Sequence, residues 1–238
     1  MTPDLLHTGF ALLLAHAVGD YLLQTGWIVA NKRKFHVLLL HGAVIGLCSL
    51  AALGVTGSAW QAALAVMCVH VAVDAGKVYL LPETLLTYLM DQAAHILAII
   101  VIALWVPGVF ASGLWAAIPP DVMEAAIIAT GLIFTTMAGG PAVGLLMQRF
   151  GSAAFPDGLE NAGRMIGMLE RGLIFLMVLI DQPAGVGFLI AAKSVLRFDT
   201  ASQDQKAGEY VIIGTLASFG WAMGLSFATK GALVLLTP

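Results

Sequence analysis

The sequence predicts an all-α fold, a polytopic transmembrane bundle of about eight helices. Of its 238 residues, 60% are hydrophobic and only 11% are charged, against about 25% charged in soluble domains. Apolar runs approaching the roughly 20 residues of a membrane crossing recur along the whole chain. The stretches between them are turn formers and charge clusters, as connections should be.

The runs lie near Leu5–Val29, Val37–Thr56, Trp60–Leu81, Asp91–Phe110, Val122–Met147, Ala162–Ile180, Gly185–Phe198 and Glu209–Thr229. The seventh, at about 14 residues, is short for a full crossing. A competing reading fuses Gly172–Lys193 into one helix interrupted at Asp181-Gln182-Pro183, giving seven crossings. Charge placement favours eight. With eight spans, Lys32, Arg33, Lys34, Lys77, Arg149, Arg164, Arg171, Lys193, Arg197 and Lys206 share one side, and only Lys230 falls on the other. Short cytoplasmic loops are the ones enriched in Lys and Arg, so both termini are expected outside. The expected organisation is one integral membrane domain over 1–238. It has a His/Asp-bearing four-helix half (1–111) and a second helical half with cytoplasmic basic motifs (122–238).

Lys and Arg total 11 against 14 Asp and Glu, a net charge of -3, and no basic stripe exists. Nucleic acid is therefore not an expected partner. The lipid bilayer is one; a protein partner in the membrane is left unnamed. Cys48 and Cys68 both lie in apolar runs and read as small core residues without a disulfide. The first helix follows Asp4 with no basic n-region, so it is expected to be retained.

Ionisable groups inside a membrane cost a few kcal/mol each and are functional by default. The first four helices hold a pattern of them. His16 and Asp20 are four apart, with Gln24 one turn on. His70 and Asp74 repeat the spacing, Asp91 and His95 reverse it beside Gln92, and His41 stands alone. Residues four apart share a helix face, so three helices each present a carboxylate and an imidazole on one stripe. With alternating helix directions, Asp20 and Asp74 fall about 9–14 Å deep and His41 and His95 about 7 Å deep, all in the cytoplasmic half.

Three of these segments carry a family resemblance: His16-Ala17-Val18-Gly19-Asp20-Tyr21-Leu22-Leu23-Gln24, His70-x-x-x-Asp74 and Asp91-Gln92-x-x-His95. The chain resembles a bacterial inner-membrane family of unknown function, domain of unknown function 3307. Gly163–Arg171, Ala192–Phe198 and Glu209-Tyr210-x-x-x-Gly214-Thr215 are similar to its longer members. The resemblance implies a bacterial cytoplasmic membrane location and no particular activity.

Imidazole nitrogens and carboxylate oxygens together suit a divalent metal of the zinc, iron or manganese type. His16, Asp20, His41, His70, Asp74, Asp91 and His95 are the candidate ligands. A metal-dependent membrane hydrolase acting on a lipid or membrane-bound substrate is the leading expectation. A proton- or metal-coupled transporter uses the same residues as a relay. A structural or assembly subunit uses them as interhelical hydrogen bonds. Whether the protein is an enzyme stays open at this point, and no catalytic residue is assigned. Gln24, Arg164, Glu170, Arg171, Lys193 and Arg197 are candidates for binding substrate or an anionic headgroup.

Overall fold

A computed structural model describes residues 2–55, 57–151, 161–196 and 205–236. Every regular element among them is helical. Helix α1, Pro3–Ala17, starts with Pro and Asp in its first turn, where the ring and the negative charge suit the helix N-terminus. It continues into a π-helical turn over Val18–Leu22. Helix α2, Gly26–Asn31, is capped by the Thr25 hydroxyl, which accepts the Ile28 N–H. Helices α3 (Phe35–Ala52), α4 (Ala59–Leu80) and α5 (Leu85–Trp105) follow. Then come α6 (Pro120–Ile133), a second π-helical turn over Phe134–Ala138, and α7 (Gly139–Met147). The last three are α8 (Ala162–Leu179), α9 (Gly185–Leu196) and α10 (Gln205–Leu236).

Among the described residues, six helical runs are long and apolar enough to cross a membrane: Pro3–Leu22, Phe35–Ala52, Ala59–Leu80, Leu85–Trp105, Pro120–Phe150 and Gln205–Leu236. Their outward faces carry large exposed apolar side chains, among them Leu47, Leu97, Trp105 and Val234. That surface is consistent with contact with lipid. Helices α8 and α9 lie where the sequence reading puts the sixth and seventh spans, but neither is among the six: α8 carries Arg164, Glu170 and Arg171, and α9 has only 12 residues.

Several boundaries differ from the sequence reading. The first run breaks at Leu23–Thr25, and α2 is a separate short helix. Helix α5 begins at Leu85 rather than Asp91, because Thr84 and Thr87 form a reciprocal capping box. Asp91 is thus nearly two turns inside its helix. Helices α8 and α9 are not fused: the chain turns through Asp181 at a left-handed φ of 60, and the Gln182 N–H donates to the Met177 carbonyl. Cys68 is exposed on the apolar face of α4 rather than in the core, and Cys48 is half-buried; both are free thiols.

The chain divides into two compact units, Met1–Thr130 with Leu233–Pro238, and Gly131–Ala232. In the first, α1 and α4 each pack against both α3 and α5, closing a four-helix ring. Gly42 and Gly46 let α3 approach α4: a Cβ at 42 would strike the Val71 side chain, and one at 46 would sit 3.1 Å from the Met67 Cβ. One end of the ring is tied by the loop after α5. There the Thr8 hydroxyl donates to the Pro107 carbonyl and accepts the Phe110 N–H, and Trp115 donates to the Ala51 carbonyl. The polar centre lies toward the opposite end, near the α2–α3 connection.

In the second unit, α8 and α9 form an antiparallel hairpin over a core of Ile174, Val186, Phe219 and Ala222. Lys230 pairs with Asp181, which brings the hairpin turn and the C-terminal part of α10 to the same end of this unit. Gly220 and Gly224, spaced like Gly42 and Gly46, would meet nothing within 4 Å. They are not a close-packing seam among the described residues.

Candidate metal centre

Each helix of the four-helix ring contributes to one buried cluster. Asp20 sits in the π turn after α1, where the widened backbone turns its carboxylate toward α3 and α4. Its Oδ1 lies 3.0 Å from His41 Nε2 on α3 and 3.3 Å from His70 Nε2 on α4. The two Nε2 atoms are 3.0 Å from each other. Asp74 Oδ2, one turn along α4 from His70, lies 3.4 Å from His70 Nε2 and 3.7 Å from His41 Nε2. His41, His70 and Asp74 are almost completely buried.

Four atoms from three segments therefore converge with five known separations between 3.0 and 3.7 Å. Ligands about 2.1 Å from a tetrahedral ion are separated by about 3.4 Å. One proton on each Nε2 cannot serve every lone pair pointed at it, and a cation at the centre can.

Charge points the same way. Lys32 Nζ lies 2.6 Å from Asp74 Oδ2, and Lys77 Nζ lies 2.9 Å from Asp91 Oδ2. Three carboxylates thus face two ammonium groups and four buried imidazoles. The Gln24 amide joins the rim: its oxygen accepts from Lys32 Nζ at 2.8 Å, its nitrogen donates to the Asp20 main-chain carbonyl, and its head lies 3.2 Å from His41 Nε2.

His95 and His16 form a second layer. His95 Nδ1 donates to the Asp91 main-chain carbonyl at 2.9 Å, which fixes the tautomer and leaves a lone pair on Nε2. That Nε2 is buried without a hydrogen-bond partner among the described residues. The His95 ring centroid is 4.1 Å from that of His70, and the ring stacks on His16 at 5.1 Å. His16 Nδ1 lies 3.8 Å from Asp20 Oδ2. The three rings line a cavity with room for about one water, closed by Val66, Ile99 and Ile102. Three ligand sets of metal-binding proximity result: His16, Asp20 and His70; His41, His70 and Asp74; and Asp74, Asp91 and His95. His70 and Asp74 each belong to two of them.

The site spans the positions that carried the sequence pattern. Residues 9–118 match the family described as Protein of unknown function (DUF3307). No curated protein and no solved structure matches the chain. All seven His and Asp residues of the cluster fall inside the DUF3307 region. The match ends before α6, so the motifs at 163–171 and 192–198 lie outside it.

The structure draws in residues that the sequence reading had counted only as loop and surface charge. Lys32 and Lys77 are partners of the buried carboxylates. Tyr21 donates to Gln92 Oε1 at 2.7 Å and contacts the Tyr88 hydroxyl at 2.9 Å, while the Gln92 amide donates to Asp91 Oδ2. Lys77 could have been noticed, since it lies three residues from Asp74 within an apolar helix.

The second-half candidates do not join this cluster. Arg164 is exposed. Lys193 Nζ pairs with Glu170 Oε2 at 2.7 Å in the α8–α9 hairpin. Arg171 is buried and bound to the second π turn through the Thr136 carbonyl. Arg197 lies outside the described residues.

Proposed function

We propose that the DUF3307 region is the metal centre of a membrane-embedded hydrolase acting on a lipid or membrane-bound substrate. The observation that carries this is the convergence of His41 Nε2, His70 Nε2, Asp20 Oδ1 and Asp74 Oδ2, with five separations of 3.0–3.7 Å. The set is uneven in a useful way. His41, His70 and Asp20 are mutually 3.0–3.3 Å apart, and Asp74 stands at 3.4–3.7 Å. Three close ligands and one offset carboxylate suit a catalytic site, which holds its ion by three protein groups and leaves one position for exchange. A divalent ion held by these residues would supply Lewis acidity and an acidified water. Asp74, whose Oδ2 lies 2.6 Å from Lys32 Nζ, would be the proton acceptor. The His95 and His16 layer and the tyrosine pair orient the surrounding carboxylates.

A second reading, metal- or proton-coupled transport, is favoured by the two ammonium groups seated on Asp74 and Asp91. A cation entering either carboxylate would exchange with a lysine. A purely structural role for the cluster is the third reading.

Asn in place of Asp74 keeps the size and a hydrogen bond but removes the charge. The hydrolase reading expects purified wild type to contain zinc, iron or manganese and to turn over an added phospholipid or membrane peptide, with turnover lost in Asp74→Asn. Metal uptake into sealed vesicles without turnover would favour transport. Wild-type behaviour of the Asn variant would leave only helix cross-linking. We also place both termini outside, which expects a cysteine at Lys34 to label only from the cytoplasm and one at Ser112 only from outside.

A further inference from the structure

We propose that Arg171 is the anchor of an oxyanion site in the second unit, taking a phosphate group carried by a phospholipid headgroup or by free phosphate. This site stands apart from the metal reading and does not depend on it.

Arg171 is only 4% exposed in an apolar helical unit. No carboxylate among the described residues lies within ion-pair distance of it. Its neighbour Glu170 is already committed to Lys193 at 2.7 Å. One carboxylate therefore meets two cations, and the positive charge left over belongs to the buried guanidinium. Burying a charge without an opposite partner is costly.

The fold has gone some way to hold this group. The π turn over Phe134–Ala138 frees the Thr136 carbonyl from the regular helix ladder, and Arg171 Nε and Nη2 both donate to it, at 3.2 and 2.7 Å. Nη1 donates to the Ser218 hydroxyl at 3.2 Å. A guanidinium has five N–H donors, so two, one on each terminal nitrogen, stay without a partner among the described residues.

Glycines stand beside both terminal nitrogens. A Cβ at Gly140 would sit 3.7 Å from Nη2, and one at Gly167 would sit 3.1 Å from Nη1. Both glycines are half-buried, and neither has a side chain to cover the terminal nitrogens. Both partners, the Thr136 carbonyl and the Ser218 hydroxyl, are oxygens that carry no charge. A planar fork with two unpartnered N–H groups and a surplus positive charge is the arrangement that binds an oxyanion in a bidentate manner. The alternative is a helix staple that needs nothing beyond Thr136 and Ser218.

The test uses the full chain purified in a phosphate-free, non-phospholipid detergent. Thermal unfolding is followed while inorganic phosphate, phosphatidylglycerol or neutral diacylglycerol is added. The proposal expects wild type to be stabilised by phosphatidylglycerol, by phosphate, or by both, and not by diacylglycerol. The response to phosphatidylglycerol alone identifies the lipid as the source, and the response to phosphate alone identifies the free anion. Arg171→Gln should weaken the response about tenfold or more. If that variant fails to fold, Gly140→Ala decides, because its methyl fills the space beside Nη2 without striking a neighbour. No stabilisation of wild type, equal stabilisation by diacylglycerol, or an undiminished response in the folded variants would overturn the proposal.

Discussion

The two units each contain a buried polar centre next to a π-helical turn, and the centres differ in the sign of their surplus charge. In the first unit the turn at Val18–Leu22 delivers Asp20 to a cluster with more carboxylates than ammonium groups. In the second, the turn at Phe134–Ala138 delivers the Thr136 carbonyl to Arg171, where cations outnumber carboxylates. A widened turn costs a regular hydrogen bond, and both occur where a polar group has to be re-aimed. The comparison teaches that the same backbone device can build a cation-seeking or an anion-seeking centre, depending on which group it frees. The packing also differs. The α3–α4 seam closes on Gly42 and Gly46, while Gly220 and Gly224 of α10 meet nothing within 4 Å.

The comparison breaks most readily at His70, which belongs to two of the three possible ligand sets. His70→Ala should lower bound divalent metal by about tenfold or more, since even changes outside the ligand set cost 10- to 100-fold in affinity. Elemental analysis beside Arg171→Gln checks this, because the second-unit variant should keep its metal. Equal metal loss in both would mean that the two centres are not separate.

The next largest effect is expected at Lys32. Removing one partner of a buried ion pair costs about 3–5 kcal/mol. In Lys32→Met, Asp74 keeps its charge and loses its ammonium, so stability should come to depend on a metal ion. Chelator should therefore lower the unfolding midpoint of Lys32→Met more than that of wild type. An identical chelator response in the two would show that the lysine and a cation do not share Asp74.

How much of this the sequence displayed follows from what stands out in an apolar chain. Histidines and aspartates four apart inside apolar runs are conspicuous, and the seven of them mark the cluster. Lys32 was hidden because a lysine at a helix end is also what membrane topology demands, and Lys77 was absorbed into the same count. The start of α5 was obscured by Pro82 and Glu83, although Thr84 with Thr87 was a legible cap. The π turn at Val18–Leu22 had no sequence signal, whereas the one at Phe134–Ala138 runs into Ala138-Gly139-Gly140-Pro141, where the sequence shows an interrupted helix because proline removes an N–H from the ladder. Arg171 was visible as a charge, but its partners are a main-chain carbonyl and a serine that composition does not distinguish from packing.

The packing difference gives two smaller tests. Gly42→Ala should destabilise by about 1–3 kcal/mol, because its Cβ meets Val71 across the α3–α4 seam. Gly220→Ala should be neutral or stabilising by up to about 1 kcal/mol, the gain in helix propensity with nothing to strike. Denaturation in a single detergent compares them. A larger loss at 220 than at 42 would contradict the distinction between a tight and a loose unit.

Cobalt substitution tests the central claim most directly. Metal-free protein titrated with Co²⁺ reports coordination through its visible absorption, which is intense for a tetrahedral N/O site and weak for an octahedral one. The arrangement of His41, His70, Asp20 and Asp74 predicts an intense spectrum that saturates at about one ion per chain for this ligand set and is lost in His70→Ala. A weak octahedral spectrum, or an intense one that His70→Ala leaves unchanged, would contradict it.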